Sequence, residues 1–589
     1  MAGRHDASDD RERQLRWLAE RGMSRREVLR AAGVIGLAAG VPGLLAACGD
    51  SDDDGTTSAA APDTTAGGAS SAPATSAAAE PLPASSAEGS TAPATTEAAP
   101  ATSAASVPAD VKTGGRLRVG HVGGGKGESF NPGRGSSFID ASRAYNVYDP
   151  LTRVNPDFSQ APGLALEWTP NADSTVWEVK LRPDVVFHDG KPFTADDVIF
   201  TLRAMGDEAH VGHAAVTNIK LDALKKVDAL TLEIPLSGPD ARLSDSFVQQ
   251  STVIIQDGAT DFAKPVGTGP FKFQEFEVGV RSLCVKNPDY WEPGKPYVDE
   301  WEDISIDDNA ARLNALLAGE IDLMSQLDFV QARAKKDTGE IQVLDAPSPA
   351  FQVILMRVDR PPFDDPLVRQ AFRLIADRQA LIDGALGGFG TPANDLFGQG
   401  LPYHAADLPV REQDLEQAKA LLAQAGKEGL EVTLQTSDIV PGFTAAATLF
   451  AEQAKGAGVT VNVKKEPANS YFDTSLLYTK IDFGQSYWTT GSLAAWYSQA
   501  LDSKAVWNET HWKDPEFDAL IRQATGATNV DEATDLWHQV QQIQYDQGGY
   551  IGWANQNIVD AAAPYLQGMV PSAFFNLGGW NYRDVWLDQ

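Results

Sequence analysis

Val186-Phe187-His188-Asp189-Gly190-Lys191-Pro192-Phe193-Thr194-Ala195-Asp196-Asp197-Val198 is the stretch from which the rest of the chain can be organised. Gly190 and Pro192 punctuate it as a turn, which makes His188 and Asp189 turn residues before it makes them a metal site. Upstream, Val176-Trp177-Glu178-Val179-Lys180-Leu181 alternates apolar and polar side chains as a strand does, and Arg116-Leu117-Arg118-Val119 alternates in the same way. Downstream, Asp365 to Leu386 and Gln413 to Ala425 carry helical spacing, with Asp364, Asp365 and Pro366 as a start signal for the first. Strand and helix signals intermingle without a short internal repeat, which favours α/β lobes over an all-β or solenoid fold. From Gly114 onward roughly 475 residues exceed what one hydrophobic core supports, so two or three lobes are expected.

The N-terminal part has a different character. Ser24-Arg25-Arg26-Glu27-Val28-Leu29-Arg30 leads into an uncharged run from Ala31 to Ala47 that closes on Leu45-Ala46-Ala47-Cys48. Twin arginines before a moderately apolar stretch read as a Tat-type export signal. The run falls short of the roughly 20 residues a spanning helix needs and contains glycines and Pro42, so residues 1–47 are expected to be a signal peptide rather than an anchor helix. Leu-Ala-Ala-Cys resembles the bacterial lipobox, which makes Cys48 the expected site of lipid attachment. The product would then be extracytoplasmic, held to the membrane by lipid alone. Residues 48–113 are expected to form a disordered linker: Gly49 to Lys112 is Ala, Ser, Thr, Pro and Gly with scattered acids and no aromatic residue. A coil of that length spans on the order of 40 Å.

The chain carries a formal net charge of -32, and losing residues 1–47, with eight basic and six acidic residues, would leave -34. Such a surface repels nucleic acid and anionic headgroups, so no nucleic-acid partner is expected. Two cysteines are present. With Cys48 taken by the lipobox, Cys284 has no intramolecular partner and reads as a packed strand residue within Ser282-Leu283-Cys284-Val285.

Several longer stretches together resemble solute-binding protein family 5, the dipeptide- and oligopeptide-binding lipoproteins of ABC importers. They are Leu164 to Trp168, Trp177 to Arg182, Val186 to Val198, Phe200-Thr201-Leu202, Gly267-Thr268-Gly269-Pro270-Phe271, Asn287-Pro288-Asp289-Tyr290-Trp291 with Gly294-Lys295-Pro296-Tyr297, Ala318 to Asp322, and Pro362 to Phe372. They recur in the family's order from about Gly114 onward. The resemblance implies an α/β, bilobed periplasmic-binding-protein type II clamshell with an extra domain inserted in lobe 1. By that analogy lobe 1 comprises 114–151, 265–348 and 556–589, the inserted domain 152–264, and lobe 2 349–555, with hinge crossovers near 348 and 556. It further implies capture of a peptide-like or other small polar solute between the lobes, delivery to a membrane permease and no catalysis; no cofactor or metal is expected.

Relatives that bind peptides place an Asp three residues after a second-lobe Trp to receive the ligand's amino terminus. Here Tyr487-Trp488-Thr489-Thr490-Gly491 puts Gly491 at that position, which leaves non-peptide ligands such as an opine, oligosaccharide, polyamine or nickel chelate as the alternative. The expected ligand-binding residues are Gly123 in the Gly-rich loop after the first strand, Phe130 just beyond it, Tyr487 and Trp488 on the aromatic wall, and Asn508 as an amide donor and acceptor. Arg369, Asp365 and Trp291 belong to motifs that report fold.

Enzymatic alternatives are weakly supported. Gly120 to Gly127 matches GxxxxGK, but Gly127 stands where a P-loop needs a hydroxyl for magnesium. His210 and His213 would share a helical face without completing a metal shell. No Gly-x-Ser-x-Gly motif occurs, so a secreted hydrolase would have to rest on paired carboxylates alone.

Overall fold

The computed structural model describes residues 110–589, except 124, 136, 156–158, 241, 469, 474, 489–491, 506 and 528. The expected signal peptide, the linker as far as Ala109, Cys48 and Gly491 therefore lie outside the described residues. No helix among the described residues is long and apolar enough to cross a membrane.

The stretch Val186 to Val198 folds as its punctuation requires. Gly190 takes a left-handed backbone at φ 84, its N–H donates to the Phe187 carbonyl, and Val186 bridges Pro192. Thr194 then caps the helix Ala195–Ala204 in a capping box closed by Asp197. This helix packs on a four-stranded antiparallel sheet ordered Ala165–Pro170, Val176–Leu181, Thr231–Pro235, Lys225–Asp228, with Trp177, Val179, Phe187, Val198 and Leu232 in one core.

Apart from two short antiparallel pairs, Thr152–Val154 with Gln160–Pro162 and Leu566–Gln567 with Trp586–Leu587, the remaining strands form one large sheet. Its order is Thr460–Lys465, Glu431–Thr436, Phe483–Trp488, Gln342–Met356, Tyr550–Ala562, Leu323–Met324, Arg116–His121, Glu300–Ser305, Arg281–Lys286, Phe271–Glu277, and Gly390–Thr391 pairs with Tyr550–Ala562 off that path. The two longest strands, Gln342–Met356 and Tyr550–Ala562, run antiparallel through its middle. We call them the crossing strands. Their register shifts between Ala346 and Ala350, where Pro347 and Pro349 supply no N–H to the ladder.

Separate cores lie on either side of this crossing. Leu117, Val119, Phe130, Phe138, Trp301, Phe575, Trp580 and Tyr582 pack together on one side, and Cys284 is fully buried among them in the strand Arg281–Lys286. On the other side the sheet is sandwiched. One face carries an aromatic cluster including Phe397, Trp488, Trp496, Tyr497, Trp507 and Tyr550, and the opposite face a mixed aliphatic and aromatic one including Val368, Ile382, Phe450 and Trp553.

The segment Asp365 to Leu386, which carries helical spacing, forms two helices, Pro366–Ile375 and Arg378–Ala385. Asp365 caps the first, with Pro366 in its first turn, and Asp377 starts the second by accepting from Ala380 N. The break lets Arg378 turn inward to the buried Asp395 carboxylate at 2.8 Å. Arg369 and Arg373 act on the end of another helix, Val530–Gln547: Arg369 donates to the Gln547 carbonyl, and Arg373 to those of Tyr545, Asp546, Gly548 and Tyr550. These arginines satisfy a C-terminus that would otherwise bury unpaired carbonyls.

Candidate functional site

Strand polarity locates the site. Leu323–Met324 is antiparallel to Tyr550–Ala562, and Arg116–His121 is parallel to Leu323–Met324. Phe483–Trp488 is antiparallel to Gln342–Met356, with Phe351 opposite Trp488 and Met356 opposite Phe483. The carboxyl ends of the strands on the two sides, at His121 and at Trp488, therefore both point towards the register shift of the crossing strands. Ligands of open α/β sheets bind beyond the carboxyl ends of strands.

On the His121 side the strand end is built from buried polar groups. His121 Nε2 lies 3.0 Å from Asp303 Oδ1, which also accepts from Trp301 Nε1 and Ser142 Oγ. Gly123 is buried; its N–H donates to Asp307 Oδ1 at 2.9 Å, and a Cβ there would lie 1.8 Å from Ser305 Oγ, so only glycine fits. Arg312 fixes that loop by donating to the carbonyls of Ile306 and Asp307, and burial pulls its guanidinium down to about 10. Asp560 on a crossing strand accepts from Gln326 N, Leu577 N and Asn576 Nδ2. Gln326 and Leu577 both have left-handed backbones, at φ 57 and 51, so this carboxylate, raised above its ordinary range by burial, holds two otherwise unfavourable conformations.

The other expected residues are more enclosed. Phe130 is 2 % exposed, edge-on to Phe273 and Phe276, with the Arg143 guanidinium 5.4 Å from its ring centre. Arg143 is itself held by Glu128, Asp140 and Ser282. Tyr487 packs on Phe443 and Phe472, and Trp488 on Phe397 and Trp507. Asn508 donates to the carbonyls of Asp502 and Trp512 and accepts from Thr510 Oγ1, which closes its own loop. Gly123 and Trp488 thus stand at the two strand ends, while Phe130, Tyr487 and Asn508 brace the walls behind them.

Sequence reasoning missed a set of buried amides on the crossing strands, Gln352 and Gln556 on one face and Asn555 and Asn557 on the other. Gln352 Nε2 donates to Gln556 Oε1 at 2.6 Å, Asn555 Nδ2 to Gln399 Oε1, and Asn557 Nδ2 to Asp345 Oδ1 at 2.6 Å. Each of these three amides spends its N–H on a side chain, and Gln352 Oε1, Asn555 Oδ1 and Asn557 Oδ1 have no hydrogen-bond partner among the described residues. The available signal was Asn555-Gln556-Asn557, a polar run inside a central strand that is apolar apart from Asp560.

The motifs with enzymatic alternatives have structural work. Gly125–Gly127 is a short 3-10 turn well separated from the next helix, Phe138–Val147, and the Gly123 amide faces a carboxylate where a P-loop would cradle phosphate. His188 Nε2 donates to the Gly269 carbonyl at 3.0 Å and Nδ1 accepts from Gly267 N at 3.3 Å, with burial drawing its pKa down to about 4. His210 Nδ1 accepts from Gly212 N, while His213 Nδ1 meets the Met205 carbonyl. Among the described residues no group of three His, Cys, Asp or Glu is arranged to hold a metal ion.

Comparison with known proteins agrees with this topology. The profile of bacterial extracellular solute-binding proteins, family 5 Middle, matches residues 159–509. The glutathione-binding protein GsiB of Pectobacterium atrosepticum is 26% identical over 471 residues, covering 76% of this chain and 91% of that protein. The heme-binding protein A of Haemophilus influenzae is 26% identical over 477 residues, covering 75% of this chain and 87% of that protein. The crystal structure of the ABC transporter substrate-binding protein CtaP from Listeria monocytogenes superposes with a TM-score of 0.71 at 23% identity, covering 81% of this chain and 100% of that one. With its α/β bilobed clamshell and inserted domain, the chain belongs to solute-binding protein family 5, the substrate-binding components of ABC importers.

Proposed function

We propose that this protein captures a small polar solute, peptide-like in its hydrogen bonding, between lobe 1 (114–151, 265–348 and 556–589, carrying the inserted domain 152–264) and lobe 2 (349–555), and presents it to a membrane permease. The observation that carries this is the convergence of the carboxyl ends at His121 and Trp488 on the crossing strands. A solute touching both lobes binds the closed arrangement better and shifts the population towards it. Gly123 offers a close backbone approach on one side and Trp488 an aromatic wall on the other. On one face of the crossing strands the spare amide oxygens of Asn555 and Asn557 favour a ligand that brings N–H or O–H donors. Those oxygens take over the recognition that the family's carboxylate performs where this chain has Gly491. GsiB is named for glutathione, a peptide, which is in keeping with a donor-rich solute. Lipid on Cys48 tethers the protein outside the cell membrane, and residues 48–113 let the clamshell stand off from it.

The test is mass spectrometry of whatever co-purifies with the protein, followed by titration of the stripped protein by tryptophan fluorescence. A peptide that rebinds stoichiometrically supports the proposal. A sugar, opine or polyamine overturns the peptide-like class and keeps the importer, whereas appearance of a cleaved product overturns binding without catalysis.

A further inference from the structure

We propose that Arg242 and Tyr403 form a latch across the rim of the clamshell, which stabilises its closed arrangement whatever solute is bound. The proposal rests on the two-lobed reading above. The Arg242 guanidinium lies 5.4 Å from the Tyr403 ring centre. Among the described residues it makes the one ion-pair or ring contact between residues 152–264 and 349–555.

Both partners are positioned before they meet. Arg242 precedes the short 3-10 turn Leu243–Phe247, whose ends Leu243 and Phe247 are buried in the core of the four-stranded sheet, with Phe247 stacked on Trp168 at 5.5 Å. Its guanidinium is paired with Asp245, and the Gln160 amide holds both Ser244 and Asp245. Across the rim, Tyr403 sits in a left-handed backbone at φ 66. The buried Gln541 amide clamps it there, donating to the Tyr403 carbonyl at 2.7 Å and accepting from Ala405 N at 2.9 Å. Two groups already fixed by their own domains lose little freedom on contact, so the attraction goes almost wholly into the open–closed equilibrium.

A solvent-exposed cation–ring contact changes such an equilibrium by about two- to fivefold. Because apparent affinity scales with the fraction of competent protein, losing the latch weakens every ligand by one common factor. A residue that touches ligand would instead discriminate among ligands.

The experiment needs no ligand. Dyes at Asp222→Cys in the inserted domain and Glu428→Cys in lobe 2, in a Cys48→Ser background, report the distance in single molecules; Cys284 is buried and stays unlabelled. Arg242→Ala and Tyr403→Leu should each lower the closed-to-open ratio about two- to fivefold, the double variant no further, and Tyr403→Phe should leave it unchanged. Two populations whose ratio ignores Arg242→Ala, or single effects that add fully in the double variant, would overturn the latch alone. A single unmoving distance in the wild type, persisting with every solute recovered by co-purification, would overturn the clamshell reading and the latch with it.

Discussion

Acidification should loosen the seam that His188 closes. Its imidazole must be neutral there: Nδ1 accepts the Gly267 N–H while Nε2 donates to the Gly269 carbonyl, so a proton on Nδ1 sets two donors against each other. Burial draws the folded pKa down to about 4, whereas the unfolded chain titrates near 6.5. Between those values the unfolded state binds more protons, so stability is full above pH 6.5 and is lost as the pH falls towards 4. Going from pH 7 to pH 5 therefore withdraws about 2 kcal/mol through this one residue. His188→Gln can keep the donor and the acceptor without titrating. In urea unfolding followed by tryptophan fluorescence, the variant should lose about 2 kcal/mol less than the wild type between pH 7 and pH 5, other histidines cancelling in the comparison. An NMR titration of the His188 ring gives the folded pKa directly. A midpoint near 6.5, or a variant with the full wild-type acid sensitivity, would refute the assignment.

Other sites give separate tests. Arg373→Lys should destabilise the protein by about 3 kcal/mol in denaturant unfolding, because a single ammonium cannot fan out to the carbonyls at the end of Val530–Gln547. Gly552→Ala should cost about 1–3 kcal/mol by the same measurement, since the new Cβ would meet the Phe351 ring at 2.5 Å and Asp395 Cα at 2.9 Å. Gly123→Ala should reduce the affinity of the co-purified solute at least tenfold by calorimetry as Ser305 and its loop shift. Equal affinity for the two proteins would remove Gly123 from the site.

Much of the architecture was legible because it depends on local rules. The alternation in Arg116–Val119 and Val176–Leu181, the Gly190 turn and the Asp365–Pro366 helix start all became the elements their spacing demands. The break after Ile375 was hidden, since helical periodicity continues through it; Asp377 caps the second helix there, and the partner that Arg378 then reaches, Asp395, lies outside the segment. The site divides similarly. Glycine at 123 and tryptophan at 488 were visible as residue types, but the buried amides of Gln352 and Asn555 acquire their places only once two strands about two hundred residues apart are paired. Nor does spacing disclose that Phe130 and Tyr487 are enclosed by their own neighbours, because an aromatic in a wall and an aromatic in a core look alike in one dimension.

The strand Tyr550–Ala562 and the segment after it complete a core that Leu117 and Val119 begin, through Leu566, Phe575, Leu577, Trp580, Tyr582 and Val585. During synthesis the ribosome must release nearly the whole chain before that first strand finds its packing partners, whereas the stretch between the crossing strands is contiguous and can consolidate earlier. That core is thus expected to mature late, and a nonsense codon before Phe575 would strip Phe575, Leu577, Trp580, Tyr582 and Val585 from around its N-terminal strand, exposing apolar surface to chaperones and proteases.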